Sequence, residues 1–279
     1  MEAIPVKTIP VNGIPVKIVP RGFGETRRRD WWWIEPMLVF AVFSAFLGYG
    51  TWAALQNAHF EYGPYLSPFY SPLLWGTSHH AWFGPIDAPA IWPPFLAFSP
   101  ALFILPFPGL FRFTCYYYRG AYYKAFWADP ISCTVGEPRG TSYWGERWLP
   151  LVLQNAHRYA AYVALLFIVI LSYDVWLALW WETPGGATEF GIGVGTLVML
   201  ANVLLIAGYT FGCHSLRHLF GGRKDEISKS PVSQACYNCS SALNGRHMLF
   251  AWCSLFSVGL TDAYIRLCAM GILTDLRIL

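Results

Sequence analysis

The sequence predicts an all-α integral membrane bundle of five transmembrane helices, with the N-terminus cytoplasmic and the C-terminus outside. Three observations predict it. Hydrophobic residues make up 55% of the 279 positions and charged residues only 13%, where a soluble domain carries roughly 25%. Five long apolar runs recur along the chain. Finally, Lys and Arg collect in alternate connections. Six of them (Lys7, Lys17, Arg21, Arg27, Arg28, Arg29) lie in residues 1–33. Further groups lie in 119–147 and 217–246, while the stretches 57–91 and 182–189 have none. Positive charge marks the cytoplasmic side.

In chain order, residues 1–33 form a polar cytoplasmic arm, and 34–279 the membrane domain. The arm repeats Ile4-Pro-Val-Lys7 as Ile14-Pro-Val-Lys17. It is expected to extend along a partner surface. Arg27 to Arg29 followed by Trp31 to Trp33 mark a membrane border. The expected spans are about 34–56, 94–118, 149–181, 193–220 and 247–270. Pro100, Pro106 and Pro108 should bend the second. His59, His79 and His80 fall in the long loop after the first span and read as surface residues, since no cysteine or carboxylate cluster accompanies them at metal spacing. No signal peptide is evident, because the opening residues are polar and basic.

Cys115, His157, Cys213, His214 and His247 all fall at or near the cytoplasmic ends of spans two to five. The cytosol is reducing, so disulfides are not expected, and a Cys/His constellation reads as a metal site. Two cofactors suit it. A bis-histidine haem would draw on His157, His214, His218 and His247. A two-iron cluster with mixed ligands would take Cys115, Cys213, His157 and His247, one per helix, with His214 and Cys133 in reserve. Adjacent Cys213 and His214 point about 100° apart on a helix, so both should not bind one metal. The Cys236-x-x-Cys239 pair stands alone and is weak as a zinc motif.

Several motifs together resemble the membrane-anchor subunit of succinate dehydrogenase, respiratory complex II, of the five-helix actinobacterial type. They are Trp52-Ala-Ala-Leu-Gln-Asn-Ala-His59, Cys115-Tyr-Tyr-Tyr-Arg119, Gln154-Asn-Ala-His157-Arg-Tyr159, Cys213-His-Ser-Leu-Arg-His218 and Asn244-Gly-Arg-His247-Met. The resemblance covers about residues 31–270. It implies a multi-pass protein of the bacterial plasma membrane, docked to a flavoprotein and an iron–sulfur subunit. Electrons from succinate would reach a quinone, menaquinone or ubiquinone, with no succinate chemistry in this chain itself. Other anchors of the enzyme carry haem b; this type resembles one with a Rieske-like [2Fe–2S] cluster instead. Leu216 stands where some relatives are expected to have another cysteine. The quinone is expected at the cytoplasmic interface, near Arg158, Tyr159, His214, His218 and Arg246. Lipids are further partners, and nucleic acid is not expected.

The competing classes are a haem b anchor and a transporter-like protein without a redox centre. Against a transporter, Asp174, Asn202 and Asp262 are the notable polar side chains deep in the spans, and no internal repeat is evident.

Overall fold

The structure is a computed structural model that describes residues 7–11, 14–18, 22–128, 131–137, 151–183, 185–222 and 224–279. Its helices in chain order are α1 (Ile34–Gln56), α2 (Pro100–Ile104), α3 (Pro106–Phe113), α4 (Tyr116–Ala121), α5 (His157–Leu177), α6 (Val194–Phe211), α7 (His214–Gly221), α8 (Pro231–Asn244) and α9 (His247–Ala269). Among the described residues, three antiparallel hairpins accompany them: Lys7–Val11 with Ile14–Ile18, Glu61–Tyr62 with Tyr65–Leu66, and Trp180–Glu182 with Thr188–Phe190. Among the described residues, four helices are long and apolar enough to cross a membrane: Ile34–Gln56, Val152–Leu177, Val194–Phe211 and His247–Ala269.

Internal contacts divide the chain into two units, residues 1–45 with 116–151 and residues 46–115 with 152–279. In the first, the arm folds on itself: Ile9 lies opposite Val16 and Lys7 opposite Ile18. The second repeat therefore pairs with residues 7–11, whereas Ile4 to Val6 of the first lie outside the described residues. Arg28 donates to Ser132 Oγ at 2.7 Å and to the Cys133 carbonyl at 3.1 Å, tying the arm's end to residues 131–137. Phe43 of α1 meets Tyr118 of α4 edge to face, with ring centroids 5.2 Å apart.

In the second unit α6 packs between α9 and α5, α3 lies on α5, and α7 on α8. The loop after α1 is not a surface loop throughout. Leu66, Phe69, Tyr70 and Leu73 are buried against Ala53, Ala54 and Ala101. The Tyr70 hydroxyl donates to the Ala53 carbonyl at 2.8 Å. His80 is buried as well, its ring 3.9 Å from that of His79. Burial and the neighbouring His79 push it down to about 4. The surface reading holds for His59 and His79 and fails for His80. The reason is the apolar fold of the loop, which a count of metal-ligand spacings does not register.

Polar side chains deep in the helices have partners from this loop. Asp174 accepts from Ser71, and Asp262 accepts from Ser67 and, at 2.5 Å, from Tyr49. Arg266, absent from the sequence reading, completes the site one turn along α9. Its Nε lies 3.2 Å from Asp262, and its Nη1 donates to the Ala58 carbonyl at 2.7 Å. At the same end, Asp275 accepts from Tyr65 at 2.8 Å, from Tyr264 at 2.5 Å and from the Gly195 N–H at 2.9 Å. The last contact satisfies an orphan donor in the first turn of α6.

Tyr65 is fully buried there. A Cβ added at Gly195 would stand 2.4 Å from its ring. The ring is held by Asp275 and cannot swing aside, so Gly195→Ala is expected to destabilise by about 1–3 kcal/mol. Thermal unfolding of the purified protein in detergent should show the loss, and an unchanged midpoint would mean that the Tyr65 pocket yields.

Two expected helices are broken. The second span appears as α2 and α3, ending at Phe113, because the Pro ring removes a donor and crowds the preceding turn. The fourth ends at Phe211, followed by Gly212 and an extended Cys213 (φ −68°, ψ 136°), before α7 resumes at His214. Helix α8, expected as loop, holds this break. Ser240 donates to the Phe211 carbonyl at 2.8 Å, and Asn244 to the Gly212 carbonyl at 2.8 Å. These bonds satisfy carbonyls that the end of α6 leaves without helical partners. Gly212 allows the approach: a Cβ there would lie 2.9 Å from the Gly208 carbonyl oxygen and 3.1 Å from the Leu243 carbonyl carbon.

Candidate functional site

Four element ends meet in the second unit. Cys115 follows the last turn of α3, His157 opens α5, Cys213 occupies the α6–α7 break, and His247 opens α9. Cys115 and Cys213 are each 2% exposed. The Cys213 Sγ lies 3.0 Å from His157 Nε2, and the Cys115 Sγ 3.7 Å from His247 Nε2. The four side chains thus form two thiol–imidazole pairs. Among the described residues, no three His, Cys, Asp or Glu side chains converge as ligands of a single metal ion.

The surroundings fix the imidazoles. The Thr114 hydroxyl donates to the Leu110 carbonyl at 2.7 Å and lies 2.9 Å from His157 Nδ1. With its proton committed to Leu110, Thr114 accepts from His157 Nδ1–H. That leaves the Nε2 lone pair directed at Cys213. Phe111 stacks on His157 with centroids 4.8 Å apart, and Tyr209 stacks on His247 at 4.9 Å. The two aromatic rings meet edge to face at 5.3 Å. Arg112 lies over the Tyr209 ring at 4.8 Å and donates to the Ala251 carbonyl at 3.1 Å and to Ser254 Oγ at 2.8 Å.

Thr114, Phe111, Arg112 and Tyr209 escaped the sequence reading. The usable signal was adjacency, since Phe111, Arg112 and Thr114 immediately precede Cys115.

Of the reserve residues, His214 stands apart from this centre. Extended backbone at Cys213 replaces the helical phase expected between it and His214. Cys213 turns inward, whereas His214 is exposed. His214 instead meets His218, their Nε2 atoms 3.0 Å apart. Burial, then His218 and Arg217, hold His214 below the usual imidazole range. Cys133 is exposed and belongs to the other unit. Cys236 and Cys239 lie one turn apart on α8, the latter exposed.

Of the expected quinone residues, Arg158 and His218 line one cavity of about 290 Å³, with Tyr162, Leu165 and Ser215. Tyr159 and Arg246 are exposed and do not line it. A second cavity of about 390 Å³, largely apolar, borders Phe111, Arg112 and Tyr209.

The family model described as actinobacterial succinate dehydrogenase subunit SdhC matches residues 34–271. A chain of the Mycobacterium smegmatis Sdh1 complex in the apo form is similar in structure. Its TM-score is 0.79 at 41% identity, over 91% of this chain and 94% of that one. No curated protein matches the sequence. On a match that spans most of its length, the chain belongs to the family of the actinobacterial succinate dehydrogenase subunit SdhC.

Proposed function

We propose that this plasma-membrane subunit of succinate dehydrogenase passes electrons from an iron–sulfur partner subunit to a quinone through a [2Fe–2S] group on Cys115, Cys213, His157 and His247. The observation that carries the reading is the meeting of two thiol–imidazole pairs at four separate element ends. The donor set suits the group in kind. A Rieske-type group takes two thiolates on one iron and two imidazoles on the other; the two Cys and two His supply those donor kinds, and binding would re-pair the thiol–imidazole contacts. A haem would ask the two imidazoles to face across a porphyrin, whereas each here faces a thiol. When bound, such a group is a one-electron carrier, and its neutral imidazole ligands raise its potential to roughly −150 to +300 mV.

The chain's own residues supply the rest. Thr114 orients His157 in the tautomer whose Nε2 is free of its proton. Phe111 and Tyr209 hold both rings and keep water from them. In the cavity near His218, Arg158 offers donors to a quinone carbonyl, and the exposed His214 connects His218 to water for proton supply. Tyr159 and Arg246 are exposed groups outside this cavity. The quinone is menaquinone or ubiquinone.

The fifth crossing of the membrane, in this reading, is Pro100–Phe113 with its flanking residues. The cytoplasmic face, arm included, docks the iron–sulfur subunit and, through it, the flavoprotein. A reporter fused after Leu279 is then active only outside the cytoplasm.

The decisive experiment is a pair of spectra from the purified complex. Reduction by succinate is expected to give a Rieske-like EPR signal beyond those of the soluble subunits, and no Soret band. A Soret band with no such signal returns the site to haem b. Neither feature leaves an anchor without a redox centre.

A further inference from the structure

An arginine at membrane depth is costly and marks a function by default. Arg112 sits in the last turn of α3, three residues before Cys115, and borders an otherwise largely apolar cavity. It is anchored to α9 by the Ala251 carbonyl and Ser254 Oγ. Its carbonyl also accepts from the Cys115 N–H at 3.2 Å. Its guanidinium lies 4.8 Å from the centre of the Tyr209 ring, which stacks on His247 at 4.9 Å. End to end, these contacts bound its distance from the His247 ring at about 10 Å.

We infer that Arg112 is the fixed counter-charge of the Cys/His centre and sets how readily that centre accepts an electron. The inference rests on the two-iron reading above. Two thiolates in a low-dielectric bundle need a compensating cation. One electron arriving from the iron–sulfur partner adds one more negative charge there, with no bond made or broken in this chain. A fixed cation favours the reduced state. A unit charge roughly 10 Å away, at an effective dielectric near 20, shifts such an equilibrium by on the order of tenfold. Arg112 touches neither quinone nor ligand sulfur in this account; it acts through position and charge.

The test is an EPR-monitored redox titration of the purified complex carrying Arg112→Gln, Arg112→Met or Arg112→Lys. The two neutral variants should keep the Rieske-like signal at full intensity. Their reduced-to-oxidised ratio at a given ambient potential should fall about tenfold, which for a one-electron couple is a shift of about 59 mV downward. Arg112→Lys should stay near the wild type. A full signal with an unchanged midpoint in the neutral variants overturns the inference while leaving the two-iron reading intact. A wild-type complex with no such signal overturns the reading itself. Should the neutral variants fail to assemble while Arg112→Lys assembles, the need for charge is upheld. Failure of all three assigns Arg112 to packing and overturns its electrostatic role.

Discussion

The complex carrying Cys115→Ser together with Cys213→Ser is expected to lose its Rieske-like EPR signal and its quinone reduction, while its soluble subunits still pass electrons from succinate to a water-soluble dye. Both thiols are buried, and each is paired with an imidazole. Serine is nearly isosteric, so the helix ends should stay in place. A neutral hydroxyl, however, replaces neither the charge nor the softness of a thiolate as an iron ligand. Even outer partners of metal ligands change activity by 10–100-fold, so removing two direct ligands should cost more than about 100-fold. Each single variant should already abolish the signal. If the double variant keeps an unaltered spectrum and full quinone reduction, the cysteines are bystanders and the histidines hold a different cofactor.

The second large effect lies at the other end of α9. Asp262 and Arg266 are 0% and 3% exposed. Every oxygen of Asp262 has a partner: Tyr49 and Arg266 Nε on one, Ser67 and Arg266 Nη2 on the other. Asp262→Ala leaves a buried guanidinium without its carboxylate, and it also frees the Tyr49 and Ser67 hydroxyls. Breaking one side of such a pair costs about 3–5 kcal/mol. Replacing both partners with apolar residues of similar volume is often neutral. The expected order of stability in detergent is therefore wild type, then Asp262→Leu/Arg266→Met, which still unpairs the Tyr49 and Ser67 hydroxyls and the Ala58 carbonyl, then Asp262→Ala. A double variant as unstable as the single one would show that the pair positions the loop around Ser67 and does more than neutralise itself.

Much of this arrangement could be read from the chain. Helix α1 begins and ends where the first apolar run does, and α9 stops one residue before its expected end. Long apolar runs bounded by charge leave few alternatives. The identities of Cys115, His157, Cys213 and His247 stood out for the same reason, since such residues are rare at that depth. Their geometry was not legible. Cys213 faces His157 because α6 stops at Phe211, and it stops there because Ser240 and Asn244 take its last carbonyls. Those residues lie in a stretch whose charge suggested a loop, although Ser230-Pro231 is an ordinary helix start. Tertiary partners more than twenty residues away leave no periodic trace. The burial of His80 was hidden likewise, by the folding of the loop into the unit's interior, whereas Arg266, four residues after Asp262 on one expected helix, was within reach of the sequence.

On the proposed two-iron reading, Phe111 and Tyr209 bear on the speed of electron transfer. When a centre gains charge, its surroundings must readjust, and the energy of that readjustment sets how much driving force each hop requires. Water and mobile side chains make it large. Here the imidazoles of His157 and His247 lie flat against two aromatic rings that brace each other, and His157 is tethered to Thr114 on its far edge. Each imidazole lies on a ring that is in edge-to-face contact with the ring that holds the other. The environment is set before the electron arrives. With the proposed two-iron group in place, such a preset environment would lower the reorganisation energy of a hop from partner to quinone.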